Sequence, residues 1–360
     1  MKAIIFAGGV GTRLWPLSRK KSPKQFEKVI GDKSTLQLAC SRLFPDFDWK
    51  DIYISTGIRY TELVRNQLPK IPGKNIIGEP EMRDVGGAVG LLTSVLMAED
   101  PDAPIAILWS DHLVKKEVFF RKILLIAEKI IKEKKKKIVF IGQKPRFPSQ
   151  NLGWLKCEKV SEAREGIEIH EFGGMKYRPD METAENFFKS GNYSWNLGYF
   201  VTTPNYLWQQ YGKFAPEMFK SMEKLKISYG GEDWNKTLTL EYSKFEKLSF
   251  DNLILEKINK EDGAVISEDL EWSDVGAWEA LKEALQVGPE QNVTQGKVLL
   301  NDCRDSLVYN YGEQMVVAID LDGFLVVNTN DVVLVCNKNS VPKIKKLVEG
   351  LAGTTNEHLT

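Results

Sequence analysis

The sequence predicts an α/β protein, a mostly parallel sheet covered by helices and followed by a smaller β-rich domain. Three observations carry this. Through about residue 145, short apolar runs rich in β-branched residues alternate with stretches of helical periodicity, the pattern of βαβ units. A glycine-rich segment directly follows the first apolar run, and open α/β sheets bind ligands at such strand ends. Beyond Gly296 the helical patterns give way to short strands split by Asp, Asn and Gly.

The elements follow in order. Apolar runs at 2–7, 51–57, 75–78, 105–109 and 137–142 read as buried strands, since they lack polar alternation. Between them, 36–43, 60–68, 85–97 and 118–134 repeat apolar residues at helical spacing. From 146 to about 285 the texture is mixed, and it reads as an insertion that supplies a second substrate's pocket. Strands are expected at 298–300, 306–309, 315–319, 324–328 and 332–335, with a terminal helix at 341–351. The domains are therefore 1–290 and 291–360.

Composition narrows the function classes. Lys plus Arg and Asp plus Glu both count 49, so no global basic field favours nucleic acid. The lysine-rich run at 132–137 ends a helical stretch and reads as a solvated terminus. No run of apolar residues is long enough to span a bilayer, and the N-terminus reads as a strand rather than a leader. Cys40, Cys157, Cys303 and Cys336 form no CxxC pair, and three histidines are too few for an expected thiol–imidazole zinc site. The cysteines read as buried thiols of a reducing cytoplasm.

Residues 7–26 read AGGVGTRLWPLSRKKSPKQF. Gly8, Gly9 and Gly11 let backbone N–H groups approach an anion closely, because no Cβ intervenes. Arg13 offers a fork of donors and Lys24 a mobile point charge, which together suit a phosphate chain. Two familiar phosphate loops do not fit. A dinucleotide fingerprint needs a third glycine where Leu14 stands, and a Walker loop needs Gly-Lys-Ser/Thr where Thr12-Arg13 stands. The string resembles the N-terminal motif of the sugar-1-phosphate nucleotidylyltransferases. Its Leu14-Trp15-Pro16-Leu17-Ser18-Arg19 and Pro23-Lys24-Gln25-Phe26 are similar to the mannose-1-phosphate guanylyltransferase branch.

That resemblance implies a Rossmann-like mixed sheet with helices on both faces and a C-terminal domain like a small left-handed β-helix. It implies nucleotide binding by Ala7, Gly8, Gly9, Gly11, Thr12, Arg13 and Lys24, with Arg13 and Lys24 catalytic. Asp111 directly follows an apolar strand, a place suited to a hard cation or to a helix cap. The Asp111-His112 pair resembles the family's metal position. Trp272-Ser273-Asp274-Val275-Gly276-Ala277-Trp278 resembles its Trp-x-Asp-Val-Gly-Ser-Trp motif, so Asp111 and Asp274 are the expected Mg²⁺ ligands. Glu79-Pro80-Glu81-Met82-Arg83 matches the first half of the base-recognition stretch. Asp84, Val85 and Gly86-Gly87 depart from it, and Glu79, Arg83 and Gly87 are carried over as nucleotide contacts. At Val85-Gly86-Gly87-Ala88 a helix start is expected to leave N–H groups free for the base and room for a purine.

The sugar pocket follows by the same resemblance. Trp195-Asn196-Leu197-Gly198-Tyr199-Phe200 resembles Trp-Asn-x-Gly-x-Phe, whose Asn contacts sugar hydroxyls, so Asn196 is assigned there. Gly153 of Asn151-Leu152-Gly153-Trp154 lets backbone reach the sugar. In Lys176-Tyr177-Arg178-Pro179-Asp180, Arg178 replaces the lysine that holds the sugar phosphate and Tyr177 replaces a glutamate. Asp251, in Ser249-Phe250-Asp251-Asn252, orients the sugar or opens a helix as an Asx turn.

The implied reaction is Mg²⁺-dependent transfer of a guanylyl group from GTP to α-D-mannose 1-phosphate, giving GDP-mannose and pyrophosphate. One alternative keeps the reaction with another nucleoside triphosphate or another hexose or heptose 1-phosphate. A second is a non-catalytic nucleotide-sugar-binding regulatory subunit, against which the retained Arg13, Lys24, Asp111 and Asp274 argue. No nucleic-acid or membrane partner and no isomerase domain are expected, and a homodimer is left open.

Overall fold

The structure, a computed structural model, describes residues 1–9 and 11–360; Val10 of the glycine stretch lies outside the described residues. The first strands are β1 (Lys2–Phe6), β2 (Ile52–Gly57), β3 (Ile76–Glu79), β4 (Ile105–Trp109), β5 (Leu113–Val114) and β6 (Ile138–Gln143). They are followed by β7 (Gly153–Arg164), β8 (Ile167–Tyr177), β9 (Tyr193–Thr202), β10 (Gly263–Glu268) and β11 (Trp272–Ser273). The C-terminal strands are β12 (Val293–Gln295), β13 (Val298–Asn301), β14 (Leu307–Asn310), β15 (Val316–Ile319), β16 (Phe324–Asn328) and β17 (Val333–Asn337). Helices α1 (Thr35–Ser41), α2 (Thr61–Gln67), α3 (Asp84–Glu99), α4 (Glu117–Lys132), α5 (Met181–Ser190) and α6 (Pro204–Phe214) come first. Then come α7 (Pro216–Ser228), α8 (Trp234–Tyr242), α9 (Phe250–Leu253), α10 (Trp278–Leu285) and α11 (Pro342–Glu349).

The chain gathers into two compact units. The first comprises Met1–Ala7, Cys40–Trp109 and Lys115–Glu271; the second comprises Gly8–Ala39, Ser110–Val114 and Trp272–Thr360. In the first, nine strands form one sheet in the order β3-β2-β1-β4-β9-β6-β10-β8-β7. The expected early strands are present and parallel, with Ile4 of β1 beside both Tyr53 and Ile107. The stretch 146–285, expected as an insertion, instead contributes four strands to this same sheet. β9 runs antiparallel between β4 and β6. It can sit there because Tyr199, Phe200 and Val201 are all apolar and buried, giving it two core faces rather than one.

Successive strand residues serve the two faces. Phe200 joins Ile4, Phe6, Ile107 and Phe140 in the core that packs Leu91, Leu92 and Val95 of α3. Tyr199, one residue earlier, meets Phe120 of α4 with ring centroids 5.3 Å apart. Helix α3 is buried from Gly86 to Leu96, as expected of a helix apolar all round. Its large side chains each contribute about 1.5–3 kcal/mol by leaving water.

The second unit has its own core. Leu14, Trp15 and Val29 pack with Trp278, Tyr309, Leu325, Val341 and Ile344. This is why the compact unit does not follow the expected boundary at 290: the Leu-Trp-Pro segment buries its apolar residues among the C-terminal elements. Trp278 Nε1 donates to the Trp15 carbonyl at 2.9 Å, and Trp15 Nε1 donates to the Leu359 carbonyl at 2.8 Å. β12, β14 and β16 stack in parallel, Val293 beside Leu307 beside Leu325, β17 closes that sheet antiparallel to β16, and β13 and β15 form a second parallel ladder. Stacked short strands of this kind make a β-helix. Asn328 Nδ2 donates to Asn310 Oδ1 at 2.8 Å, and Asn310 Nδ2 donates in turn to the Lys297 and Gln314 carbonyls, so a chain of buried amide bonds links neighbouring turns.

The start of α3 gives a test of this packing. Gly86 N–H donates to the Leu248 carbonyl at 3.0 Å, and a Cβ at Gly86 would lie 2.6 Å from that oxygen. Gly86→Ala should therefore cost about 1–3 kcal/mol through overpacking, lowering Tm by about 2–4 °C per kcal/mol. An unchanged Tm in calorimetry would show that the helix start moves aside freely.

Candidate functional site

The second unit carries the glycine stretch and its cations. Gly9 and Gly11 have φ of 87° and 65°, the left-handed region that favours glycine. A Cβ on Gly11 would lie 2.8 Å from both Cγ and Cδ of Lys24, so its absence lets the Lys24 stem cross the loop. Fully buried Gln25 donates from Nε2 to the Gly9 carbonyl at 3.2 Å. The Pro-Lys-Gln-Phe segment thus clasps the glycine stretch by a side-chain stem and an amide. Gln25 escaped the sequence reading, although it sits inside a motif that reading used.

Two acidic segments meet in the same unit. β5 and β11 form a short antiparallel ladder, Leu113 opposite Ser273 and Val114 opposite Trp272. This brings together the segments that carry Asp111 and Asp274, which both lie just beyond the Leu113–Ser273 end of the ladder. Lys24 Nζ pairs with Asp111 Oδ2 at 2.8 Å. Burial would raise the Asp111 carboxyl, but the Lys24 ammonium and His112 outweigh it and hold it below the ordinary carboxylate range. The His112 ring stands edge-on to Trp272, centroids 5.0 Å apart. A Cβ on Gly276 would lie 3.1 Å from Arg13 Nη2 and 3.3 Å from Asp274 Oδ2, so Arg13 and Asp274 flank this glycine. Val275 between them has φ of 37°, strain of the sort that collects at functional sites. Glu279 is a further carboxylate that sequence reasoning missed. Burial pushes its pKa up, Arg13 opposes this, and Glu283 and Asp274 add to it.

Among the described residues no cluster of three or more His, Cys, Asp or Glu is arranged to hold a metal ion. A pair of carboxylates still fits Mg²⁺, a hard cation that keeps waters and completes its shell with substrate phosphates.

The first unit carries the other candidates. Ala7 donates its N–H to the Ser55 carbonyl at 2.7 Å and accepts from Thr56 Oγ1 at 2.7 Å. Glu79 closes β3, where Tyr242 Oη donates to its Oε2 at 2.7 Å and Ser55 Oγ to its Oε1 at 3.4 Å. Burial raises its pKa against both bonds. Arg83 pairs with Glu81 at 2.9 Å and precedes α3. The expectation of free N–H groups and open space at 85–87 needs correction. Val85 N–H donates to Asp84 Oδ1 at 2.7 Å and Gly86 N–H to Leu248, while Tyr211 Oη donates to the Gly86 carbonyl at 2.6 Å. A Cβ on Gly87 would meet Arg83 Cβ at 2.7 Å and Tyr242 Oη at 3.2 Å. Both glycines therefore admit neighbouring protein at the helix start, which is where the residues before α9 pack.

Three strands set the sugar candidates in a row, with Asn196 of β9 opposite Gly153 of β7, itself opposite Tyr177 of β8. Asp251, on α9, accepts from Asn196 Nδ2 at 3.2 Å. Ser249 caps α9, its hydroxyl accepting from Asn252 N–H, so Asp251 is left for the pocket rather than for an Asx turn. Glu256 Oε1 accepts from Tyr177 N–H at 2.8 Å. Arg178 has φ of 45°, lies 5.1 Å from the Tyr177 ring centroid and donates from Nε to the Asn151 carbonyl at 3.3 Å.

Burial pushes the Asp251 pKa up to about 6; its own backbone and Arg178 oppose this, and Glu256 and Asp84 reinforce it. Between pH 4 and 6 the folded protein keeps a proton that the unfolded chain has released. This group's contribution to stability is complete below pH 4 and is lost as pH rises through 6. Asp251→Asn removes a buried charge that costs up to about 3 kcal/mol at neutral pH. The variant should gain stability relative to wild type between pH 4.5 and 7.5 in calorimetric scans. A difference independent of pH would contradict this.

Comparison with known proteins gives a consistent picture. The model of the nucleotidyl transferase family matches residues 2–290, and that of the MannoseP isomerase/GMP-like β-helix domain matches 296–351. A mannose-1-phosphate guanylyltransferase of Salmonella typhimurium strain LT2 is 30% identical over 353 residues, covering 97% of this chain and 72% of its own length. A mannose-1-phosphate guanylyltransferase of Escherichia coli O157:H7 is 31% identical over 360 residues, with coverages of 97% and 73%. A solved structure from Thermus thermophilus, described as a mannose-1-phosphate geranyltransferase, superposes with a TM-score of 0.84 at 25% identity, covering 97% of this chain and 98% of that one. This chain, which joins a nine-stranded α/β sheet to a β-helix domain, belongs to the nucleotidyl transferase family of enzymes.

Proposed function

We propose that the protein transfers a guanylyl group from GTP to α-D-mannose 1-phosphate, with Mg²⁺, giving GDP-mannose and pyrophosphate. The observation that carries this reading is the clasped glycine stretch, with Lys24 paired to Asp111 and Arg13 beside Asp274. Relatives at about 30% identity named for this reaction support the sugar. In the reaction a phosphate oxygen of the sugar phosphate bonds to the α-phosphorus of GTP, and the bond from that phosphorus to the bridging oxygen of pyrophosphate breaks.

The chain's own part is alignment and charge. Gly8, Gly9, Gly11 and Thr12 present backbone to the triphosphate, and Arg13 and Lys24 neutralise charge that gathers on the leaving pyrophosphate. Asp111 and Asp274 would hold Mg²⁺, which supplies further neutralisation of the phosphates when bound. Glu79, with Arg83 and the Gly87 turn nearby, is the group for the base. Its carboxylate is an acceptor that suits the adjacent N1–H and N2–H donors of guanine and has no such pair in adenine. Arg178 takes the sugar phosphate, bidentately where lysine would bind as a point charge. Gly153, Asn196 and Asp251 serve the sugar. The protein is expected in the cytoplasm, with no nucleic-acid or membrane partner.

Asp111→Asn and Asp274→Asn keep shape and remove the charge that Mg²⁺ needs. Each should lower turnover by about a hundredfold, the upper range of losses at metal-site groups. Near wild-type rates at saturating Mg²⁺ in either variant would leave that residue a cap. Pyrophosphate release across four nucleoside triphosphates and several sugar 1-phosphates tests the substrates. GTP should exceed ATP in kcat/KM by about tenfold or more, since one unmatched buried group costs about 1–3 kcal/mol. A preference for UTP or dTTP would overturn the base, and a preference for another sugar 1-phosphate would overturn the mannose.

A further inference from the structure

Strand β9 is irregular where it matters. Its pairing with β6 passes from Tyr199 opposite Ile141 to Asn196 opposite Gly142, so Leu197 and Gly198 are looped out. Such bulges re-aim side chains next to active sites. Gly198 has φ of 70°, and a Cβ there would lie 2.3 Å from Trp109 Nε1. Only glycine permits that approach, and both polar backbone atoms of Gly198 are engaged. Trp109 Nε1 donates to the Gly198 carbonyl at 3.1 Å, while Gly198 N–H donates to Asn196 Oδ1 at 3.0 Å.

The second bond fixes which way the Asn196 amide faces. With its oxygen held by Gly198, its Nδ2 is directed to Asp251 Oδ1 at 3.2 Å and to the Met175 sulfur at 3.6 Å. Asn196 is 7% exposed, and Gly153 opposite it would press a Cβ to 3.1 Å from Asn196 Cβ. The amide is thus spent on the protein at both ends. A carboxylate, by contrast, has about four acceptor sites, so one bond from Asn196 orients Asp251 without exhausting it. Trp109 is itself steadied by Phe6 on the neighbouring strand, ring centroids 5.1 Å apart.

We propose that Trp109 is a positioning residue that, through Gly198 and Asn196, aims the Asp251 carboxylate at a hydroxyl of the sugar. This rests on the reading of Asp251 as a sugar contact given above. Asn196 then acts on the sugar through Asp251 rather than by its own amide.

Trp109→Phe keeps a ring against Phe6 and deletes the N–H donor along with part of the indole's bulk, a packing loss that the GDP control and the Asp251→Asn background separate from the donor's role. The probes are GDP-mannose and GDP, bound to the full-length chain in titration calorimetry; GDP lacks the sugar and reports everything else. Trp109→Phe should weaken GDP-mannose by about five- to tenfold, the value of one net hydrogen bond, and leave GDP unchanged. In an Asp251→Asn background the same change should alter GDP-mannose binding by less than about twofold, because mutations acting through one group are not additive. Asn196→Ala should show the same dependence on Asp251. Equal losses in both backgrounds, equal losses for GDP, or no loss at all would overturn the relay while leaving Asp251 as a sugar contact. Should Asp251→Asn itself bind GDP-mannose as tightly as wild type, the sugar-pocket reading falls and the relay with it.

Discussion

The 2.8 Å ion pair between Lys24 and Asp111 is the contact around which the second unit is organised. A nucleotidyl transfer site has to keep cations and carboxylates close together, yet leave them available to phosphate and metal. A flexible lysine does not hold such a place unaided, because fixing its long side chain in one geometry costs rotamer entropy. Here the stem is threaded over Gly11, the following Gln25 is tied to the Gly9 carbonyl, and the next residue, Phe26, is buried. The two tryptophan motifs are joined by the bond from Trp278 to the Trp15 carbonyl, which ties Arg13 and Asp274 to one frame. Apolar burial and a few directed hydrogen bonds thus fix charges that could not fix themselves.

The first unit solves a different problem in a similar way. Its base and sugar candidates sit where the sheet ends, on residues whose neighbours were chosen for close approach. Glycine at 86, 87 and 198 meets protein atoms at distances that a Cβ would not tolerate, and at 153 a Cβ would be crowded against Asn196 and Met175. The polar atoms revealed there are then shared out: Tyr211 and Leu248 take the backbone of Gly86, and Asn196 and Trp109 take that of Gly198. The backbone groups of these two glycines are satisfied before any ligand arrives, whereas Arg83 Nε is buried without a hydrogen-bond partner, and carboxylates such as Glu79 and Asp251 keep acceptor capacity beyond their bonds.

Much of this was legible in the sequence. The early strands and helices were visible as apolar periodicity, and helix α11 ends within two residues of expectation. Glycine, fixed charge and a strand end single out residues 7–26 and Asp111 from the sequence alone, whereas Asp274 enters through the resemblance of its Trp-x-Asp motif; the structure places Lys24 against Asp111 and sets Arg13 and Asp274 on either side of Gly276. What escaped was the tertiary pairing. Nothing local in 193–202 says that β9 will run antiparallel through the centre of the sheet, because its apolar run Tyr199-Phe200-Val201 reads alike in either direction. The reading of Gly86 and Gly87 as space for a purine failed for a related reason: glycine announces a close approach but not the partner, which here is Leu248 and Arg83. Trp109 was overlooked because its partner Gly198 lies far along the chain, and Gln25, although inside the quoted motif, because an amide gives no sign of which carbonyl it will bind.

The second unit is assembled from three separate stretches of chain. Trp15 is held by Trp278 and by the Leu359 carbonyl, partners 263 and 344 positions away. Synthesis proceeds from the N-terminus, so the glycine stretch emerges first and must wait for the C-terminal strands before its own core exists. Closing loops of that length is slow compared with local folding. The first unit's strands β1 to β4 have their sequence partners early and need no such wait. A growing chain therefore carries Arg13 and Lys24 on an unbuilt loop, and the two cations come into register only once those distant partners have been made.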